Sequence, residues 1–212
     1  MLVWGGLVLI IAAIGGTFAW SKLQGTHPLP VIGQISDFNL TNQNNEPVSL
    51  SKLRGQVWVA DVIFTRCPGP CPKMTHHLAE LQAVLPAGKP VRLVTLTSDP
   101  EYDTAPVLKT YAARFGADSN RWFFLTGPKP QIRELAVNDF KFVVVDKKPE
   151  DRQVPDDLFI HSTWFVLVDQ QARVRGWTDD EGHLRAYFDS EDAAAQAQIL
   201  AAIKQLLEEK QP

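Results

Sequence analysis

Val57-Trp58-Val59-Ala60-Asp61-Val62-Ile63-Phe64-Thr65-Arg66-Cys67-Pro68-Gly69-Pro70-Cys71-Pro72-Lys73-Met74 decides the fold of this chain. Its first eight residues are apolar, β-branched and aromatic in character, and read as a buried strand. Pro68 and Pro70 forbid an ordinary helix start at Cys67. Pro70 suits the first helical position, and Met74 through Leu85 then carries helical periodicity. The two cysteines therefore fall on a strand-to-helix turn, Cys71 in the first helical turn and Cys67 just before it. Unpaired N–H groups and the helix dipole at such a turn stabilise a thiolate, and Arg66 and Lys73 add positive charge. The expectation is a pair of thiols with lowered pKa.

Cys67 and Cys71 are the only cysteines in 212 residues. Two thiolates four positions apart can clamp one soft metal ion or close into one disulfide. An inert structural disulfide is the plainer alternative. Against it, so short a ring constrains the unfolded chain little, because stabilisation grows with loop length. The Pro-Gly-Pro spacer also reads as a rigid, exposed turn. A reactive or metal-binding pair is the leading reading.

Outward from this motif, the first twenty residues, Met1 to Trp20, hold no charged side chain. Leu2–Trp20 is 19 residues long, close to the roughly 20 needed to cross a bilayer. It lacks the basic start and small-residue end of a cleaved signal, and Trp20 suits an interfacial anchor. We expect an uncleaved transmembrane anchor over 1–20, a Gly/Pro-containing stalk over 21–33, and one globular domain over 34–212. Lys22, on the C-terminal side of the anchor, taken alone favours the orientation opposite to export. All 21 basic and 24 acidic residues follow Trp20, leaving a formal net charge of −3. No basic patch points to nucleic acid, and there is no internal repeat or phosphate-binding glycine loop.

Along the globular part, Phe38–Thr41 and Val48–Leu50 read as a hairpin, followed by a turn of helix at Ser51–Gly55 and the strand leading to Cys67. A strand is expected at Val91–Thr97, a helix from Asp103 to Arg114 capped by Asp103 and Thr104, a strand at Trp122–Leu125 and a helix at Lys129–Val137. Phe140–Val145 reads as another strand before a polar loop from Asp146 to Asp157. Thr163–Asp169 reads as a buried strand, Arg173–Trp177 as its hairpin partner, and Ser190–Glu209 as the closing helix. Alternating strands and helices ending in a hairpin and a helix imply an α/β fold with a central mixed sheet flanked by helices. A cysteine pair at its first β–α junction resembles the thioredoxin fold.

Three motifs together resemble the Sco/SenC family: Thr65-Arg66-Cys67-Pro68-Gly69-Pro70-Cys71-Pro72-Lys73-Met74-Thr75, Thr97-Ser98-Asp99-Pro100-Glu101-Tyr102-Asp103-Thr104, and Ile160-His161-Ser162-Thr163 before a strand ending at Val168-Asp169. The resemblance runs from about Ile35 to Leu207. It implies a membrane-anchored thioredoxin-like domain facing the periplasm or cell exterior from the inner membrane. It also implies that copper, as Cu(I) or Cu(II), is bound through Cys67, Cys71 and His161 and delivered to the copper A centre of cytochrome c oxidase subunit II. The chemistry of the donors agrees, since thiolates favour Cu(I) and a Cys2His set can hold either oxidation state. Thr163 takes the position of the thioredoxin cis-proline, which counts against disulfide exchange. Many members carry Asp directly before the histidine. Here that residue is Ile160, and Asp99 is the candidate to supply a carboxylate beside the site or to face a partner.

The implied role is that of a metallochaperone rather than an enzyme. The alternative is a thiol–disulfide oxidoreductase using Cys67 and Cys71 as its redox pair on the cysteines of subunit II or another exported client. A peroxide-reducing protein is a weaker third reading, because Thr65 and Pro68 do not reproduce the peroxidatic pattern. Met74, Tyr111, Trp58 and Trp177 are assigned to packing. His76, His77 and His183 are expected at the surface, and His27 in the stalk.

Overall fold

The computed structural model describes residues 28–179 and 181–209. The expected anchor over 1–20 and the stalk up to residue 27 lie outside the described residues. Among the described residues no helix is long and apolar enough to cross a membrane. The end of the expected stalk is a correction: Val31, Ile32 and Gly33 belong to a strand, β1 (Val31–Gln34).

The chain continues through a hairpin, β2 (Asn39–Asn42) and β3 (Pro47–Ser49), with Asn45 at φ 62° in its turn, and a single helical turn α1 (Leu50–Leu53). The central unit follows: β4 (Val57–Ile63), α2 (Cys71–Val84), β5 (Val91–Thr97), α3 (Ala105–Arg114) and β6 (Trp122–Thr126). Helix α4 (Lys129–Arg133) widens into a π-helical segment, Glu134–Asp139. Two short strands, β7 (Val144–Asp146) and β8 (Phe159–His161), precede β9 (Trp164–Val168) and β10 (Arg173–Arg175). The small strands β11 (Trp177–Thr178), β12 (Leu184–Arg185) and β13 (Phe188–Asp189) lead to the last helix, α5 (Ala195–Glu208).

The main sheet runs β1-β10-β9-β4-β5-β6-β2-β3, with β13 also on β9. β4, β5 and β6 are parallel, as crossovers through α2 and α3 require, while β9 lies antiparallel to β4. Every residue of β4 is buried, so its pleat sorts side chains between two cores. Val57, Val59 and Ile63 pack with α2, α3 and α5, whereas Trp58, Ala60 and Val62 pack with the α4 region and Phe140. The edge ring contact of Trp58 on Phe140, at 5.7 Å, belongs to this second core.

Two expectations need correction. Phe140–Val145 does not form one strand. Only Val144–Asp146 is extended, and it pairs antiparallel with Phe159–His161 in a separate two-stranded sheet. Phe140 and Phe142 instead turn into the second core. The closing helix begins at Ala195 rather than Ser190, because Ser190 donates its N–H to Thr163 O and Asp189 and Asp192 form polar turns before the helix.

Candidate functional site

The site is built on the turn between β4 and α2. Cys71 is the first helical residue, with Pro70 at the cap position and Met74 N–H closing the first turn on Pro70 O at 3.0 Å. Cys67 precedes it, its N–H bonded to Phe64 O at 3.1 Å, and Gly69 N–H approaches the Cys67 Sγ at 3.4 Å. Neither cysteine is in a disulfide. Cys71 is fully buried, while Cys67 is partly exposed beside a cleft of about 410 Å³. Phe64, Pro68 and Phe159 help to line that cleft, together with Lys147, Val154 and Asp157.

The expected lowering of the thiol pKa does not hold for Cys71. Burial pushes it well above the ordinary value, and a hydrogen bond with Cys67 and the charge of Asp61 act in the same direction. A bond to Phe64 opposes this without reversing it. The dipole of a helix start is worth a fraction of what complete removal from water takes away. Arg66 and Lys73 do not alter the balance, because Arg66 is engaged elsewhere and Lys73 is exposed.

Asp61 is a contributor that the sequence reading missed. It stands in the apolar strand β4, on the pleat side of Val59 and Ile63, and is fully buried. Its charge also helps to raise Tyr111, whose hydroxyl pairs with Thr75 at 3.0 Å while Thr75 donates back to Cys71 O at 2.9 Å. A lone carboxylate in an otherwise apolar strand was the available signal.

Asp103 was expected to cap α3, and does not. Thr104 is at the cap position, with no side-chain bond to the helix. Asp103 is instead completely buried and accepts from Thr65 N–H at 3.0 Å, from the Thr65 hydroxyl, and from the Thr97 hydroxyl at 2.5 Å. Burial holds its carboxyl above the ordinary range, against the pull of the two threonines. It thereby ties the Thr65-Arg66-Cys67 turn to the end of β5. Asp99 pairs through one carboxylate oxygen with Arg66 Nη2 at 2.8 Å.

His161 ends strand β8, opposite Val144, and its side chain lies outside the described residues. Two positions earlier, Phe159 lines the cleft beside Cys67 and meets the Phe64 ring edge-on at 5.1 Å. The backbone of β8 thus arrives next to the dithiol. Other candidates fall where expected: Met74, Tyr111 and Trp58 are core, and His76 is exposed and 3.5 Å from Glu80. His183 lies with Asp179 and Glu181 in an exposed turn whose donor atoms fall within 4.8 Å of one another. There Asp179 is occupied by Arg185 at 2.8 Å and by the amides of Glu181 and His183. His27 lies outside the described residues.

A parallel β–α–β unit with a reduced dithiol at its first β–α junction, closed by an antiparallel hairpin and a helix, defines a thioredoxin-like dithiol protein. The SCO1/SenC family model matches residues 32–207. The SCO1 protein homolog of Bacillus subtilis (strain 168) is 40% identical over 147 residues, 68% of this chain and 73% of its own length. A candidate copper-binding protein of Stutzerimonas stutzeri is 31% identical over 160 residues, 74% of this chain and 72% of its own. BsSco, a member of the Sco family of cytochrome c oxidase assembly proteins in which a disulfide switch was identified, superposes with a TM-score of 0.69. The match covers 87% of this chain and all of that one, at 31% identity. This chain belongs to the SCO1/SenC family.

Proposed function

We propose that this chain is a copper chaperone that holds one copper ion through Cys67, Cys71 and His161 and hands it on during assembly of the copper A centre of cytochrome c oxidase. The observation that carries the reading is the dithiol itself: two reduced cysteines close enough to share a hydrogen bond, at the edge of an open cleft, with the strand bearing His161 alongside. Two sulfurs at that spacing fit a soft ion, and an imidazole would complete a trigonal set. The copper-binding relative and the oxidase-assembly relative point to the same cargo and recipient. Cys71 enters the site as a buried thiol, so copper binding must release its proton. Cys67, at the cleft, is the sulfur an incoming acceptor would reach first. The uncharged stretch 1–20 would anchor the globular domain, whose sheet begins at Val31, to the inner membrane on its periplasmic or outer side.

The test is copper binding by the reduced full-length chain under anaerobic conditions, with His161→Ala beside it. One equivalent of tightly held Cu(I) that loosens with His161→Ala, with a changed Cu(II) charge-transfer spectrum, is the expected result. Equal affinity and spectrum in both proteins would refute the three-ligand site.

A second reading is favoured by the same reduced pair and by the disulfide switch of BsSco. Here the Cys67 thiolate attacks a client disulfide and one client sulfur leaves as a thiolate. Cys71, losing its proton, then displaces the other. The products are a Cys67–Cys71 disulfide and a client dithiol, two electrons having passed to the client. Exchange with a disulfide-bonded acceptor peptide, absent in Cys71→Ser, tests it.

A further inference from the structure

We infer that Arg66 is a positioning residue that seats the β7–β8 arm, and with it His161, over the dithiol. The inference rests on the copper reading above and adds to it a residue that neither motif nor ligand chemistry assigns.

The arm, residues 143–162, is joined to the main sheet by no strand ladder among the described residues. Internally it is stiff. Lys147 Nζ holds both carboxylate oxygens of Asp157 at 2.7 and 2.8 Å, Lys147 N–H bonds Leu158 O at 2.8 Å, and Arg152 reaches Lys147 O. Its base is pinned by Ser162 N–H on Val143 O and by the Ser162 hydroxyl, which accepts from Val143 N–H. Such a piece would move as a unit about its base, with the burial of Val144 and Phe159 and the contacts farther out deciding where it rests.

Asp146 lies 3.5 Å from Lys129 and 3.6 Å from Arg133, and all three side chains are well exposed. On the dithiol side, Phe159 packs on Phe64, and Arg66 reaches across to Asp156 at 3.2 Å. An exposed ion pair alone holds little. Arg66 is different because its geometry is already set. Asp99 grips Nη2 at 2.8 Å and the Tyr102 ring lies under the guanidinium at 4.0 Å. The contact to Asp156 therefore fixes the arm without immobilising the arginine afresh. One planar fork joins three segments: the residue before Cys67, the β5–α3 loop and the arm that ends in His161. A lysine, one point charge with no fork, cannot span Asp99 and Asp156 together.

The test uses the full-length chain and two readouts. In the metal-free protein, Arg66→Gln and Asp156→Asn should each speed amide exchange at Lys147 and along β8 by roughly threefold to tenfold, and the double variant no further. Arg66→Lys should behave like Arg66→Gln in the arm while the rest of the sheet stays protected. Unchanged arm exchange, or a global rise across β4 and β5, overturns the inference. In the copper-bound protein, Arg66→Gln should weaken Cu(I) by a similar factor in the wild-type background and by nothing in His161→Ala, since the arginine acts through the histidine's strand. Equal weakening in both backgrounds would place its effect on the thiolates and overturn the inference. If His161→Ala leaves copper affinity unchanged, the ligand set falls on its own account, and the exchange data alone decide the arm.

Discussion

The clearest test of how the dithiol turn is held is the removal of Asp103. Its carboxylate accepts two bonds from Thr65 and one from Thr97, in full burial. Hydrogen bonds to a charged group contribute about 1.5–3 kcal/mol each. The carboxylate's own desolvation offsets part of the sum, as its raised pKa shows. Asp103→Ala also leaves the Thr65 N–H and two hydroxyls without an acceptor, at roughly 1–3 kcal/mol apiece where water cannot reach them. Allowing for non-additivity, the net loss should be about 3–5 kcal/mol. Asp103→Asn keeps the shape and one acceptor, and should cost about 1–2 kcal/mol. Urea unfolding reads both as a lower midpoint at unchanged slope. The pH dependence carries a sign. Because the folded carboxyl titrates above its unfolded value near ~3.9, the native state holds the extra proton between the two values. Its contribution is therefore full below that range and declines as pH rises through it. Asp103→Asn should flatten this decline. A midpoint within experimental error of wild type for Asp103→Ala, or an unchanged pH profile for Asp103→Asn, would refute the anchoring role.

Alkylation of the reduced, metal-free chain near pH 8 should label Cys67 at least about tenfold faster than Cys71, because Cys71 is fully buried and its thiol is pushed up; equal labelling by mass spectrometry would contradict the asymmetry. Arg175→Leu should lower stability by about 3 kcal/mol or more in urea unfolding. That arginine is 3% exposed and joins Asp169, Glu209 and Leu29 O, so the change leaves Asp169 short of a buried partner. Gly176→Ala should lower the melting temperature by several degrees, since an added Cβ would lie 2.4 Å from Arg185 O and 2.7 Å from Ile32 Cδ1. The Asp157 carboxyl is held below the ordinary range by Lys147, so the arm should keep this support above that range and lose it as pH falls. Proteolysis within residues 147–158 should accordingly rise in acid, and be already high at neutral pH in Asp157→Asn.

Much of this was legible because the decisive signals were local. The β4 run, the proline spacing before Cys71 and the β-branched run Val91–Thr97 each carry their own periodicity, and the folded elements agree within a residue or two. The failures all involve partners distant in sequence. Phe140–Val145 has strand composition, yet Phe140 and Phe142 are drawn into the core under Trp58, leaving three residues to pair with Phe159–His161. Asp103 sits where a cap belongs, but Thr65, 38 positions away, offers it two donors and full burial. Ile32 looks like stalk by composition and becomes sheet through Arg173–Arg175 at the far end of the chain. The dipole argument for a lowered thiol pKa was sound for an exposed helix start. It lost to burial, which depends on the assembly of the core that Cys71 shares with Phe64, Met74 and Phe159 and cannot be read from the motif.

That burial makes the two cysteines unequal in a way that bears on both functional readings. Cys67, partly exposed at the cleft with Gly69 N–H on its sulfur, would be the sulfur that meets an incoming metal donor, acceptor or disulfide. Cys71 is fully buried, its thiol kept protonated by burial, by its hydrogen bond with Cys67 and by the charge of Asp61. Copper arriving at Cys67 can displace the Cys71 proton, and its positive charge offsets the carboxylate that otherwise disfavours a thiolate there. An acceptor removing the ion returns that proton, which favours release once a competing ligand is in place. In the exchange reaction Cys71, buried and protonated, would attack only after a mixed disulfide had formed at Cys67, giving up its proton in that step. The asymmetry thus orders the steps in either case. Asp61→Asn separates the two contributions: it should leave Cys71 buried while removing the opposing charge, so Cys71 alkylation should become faster with no change in fold. If the rate is unchanged, burial alone sets the state of Cys71 and the strand carboxylate has no part in ordering the site.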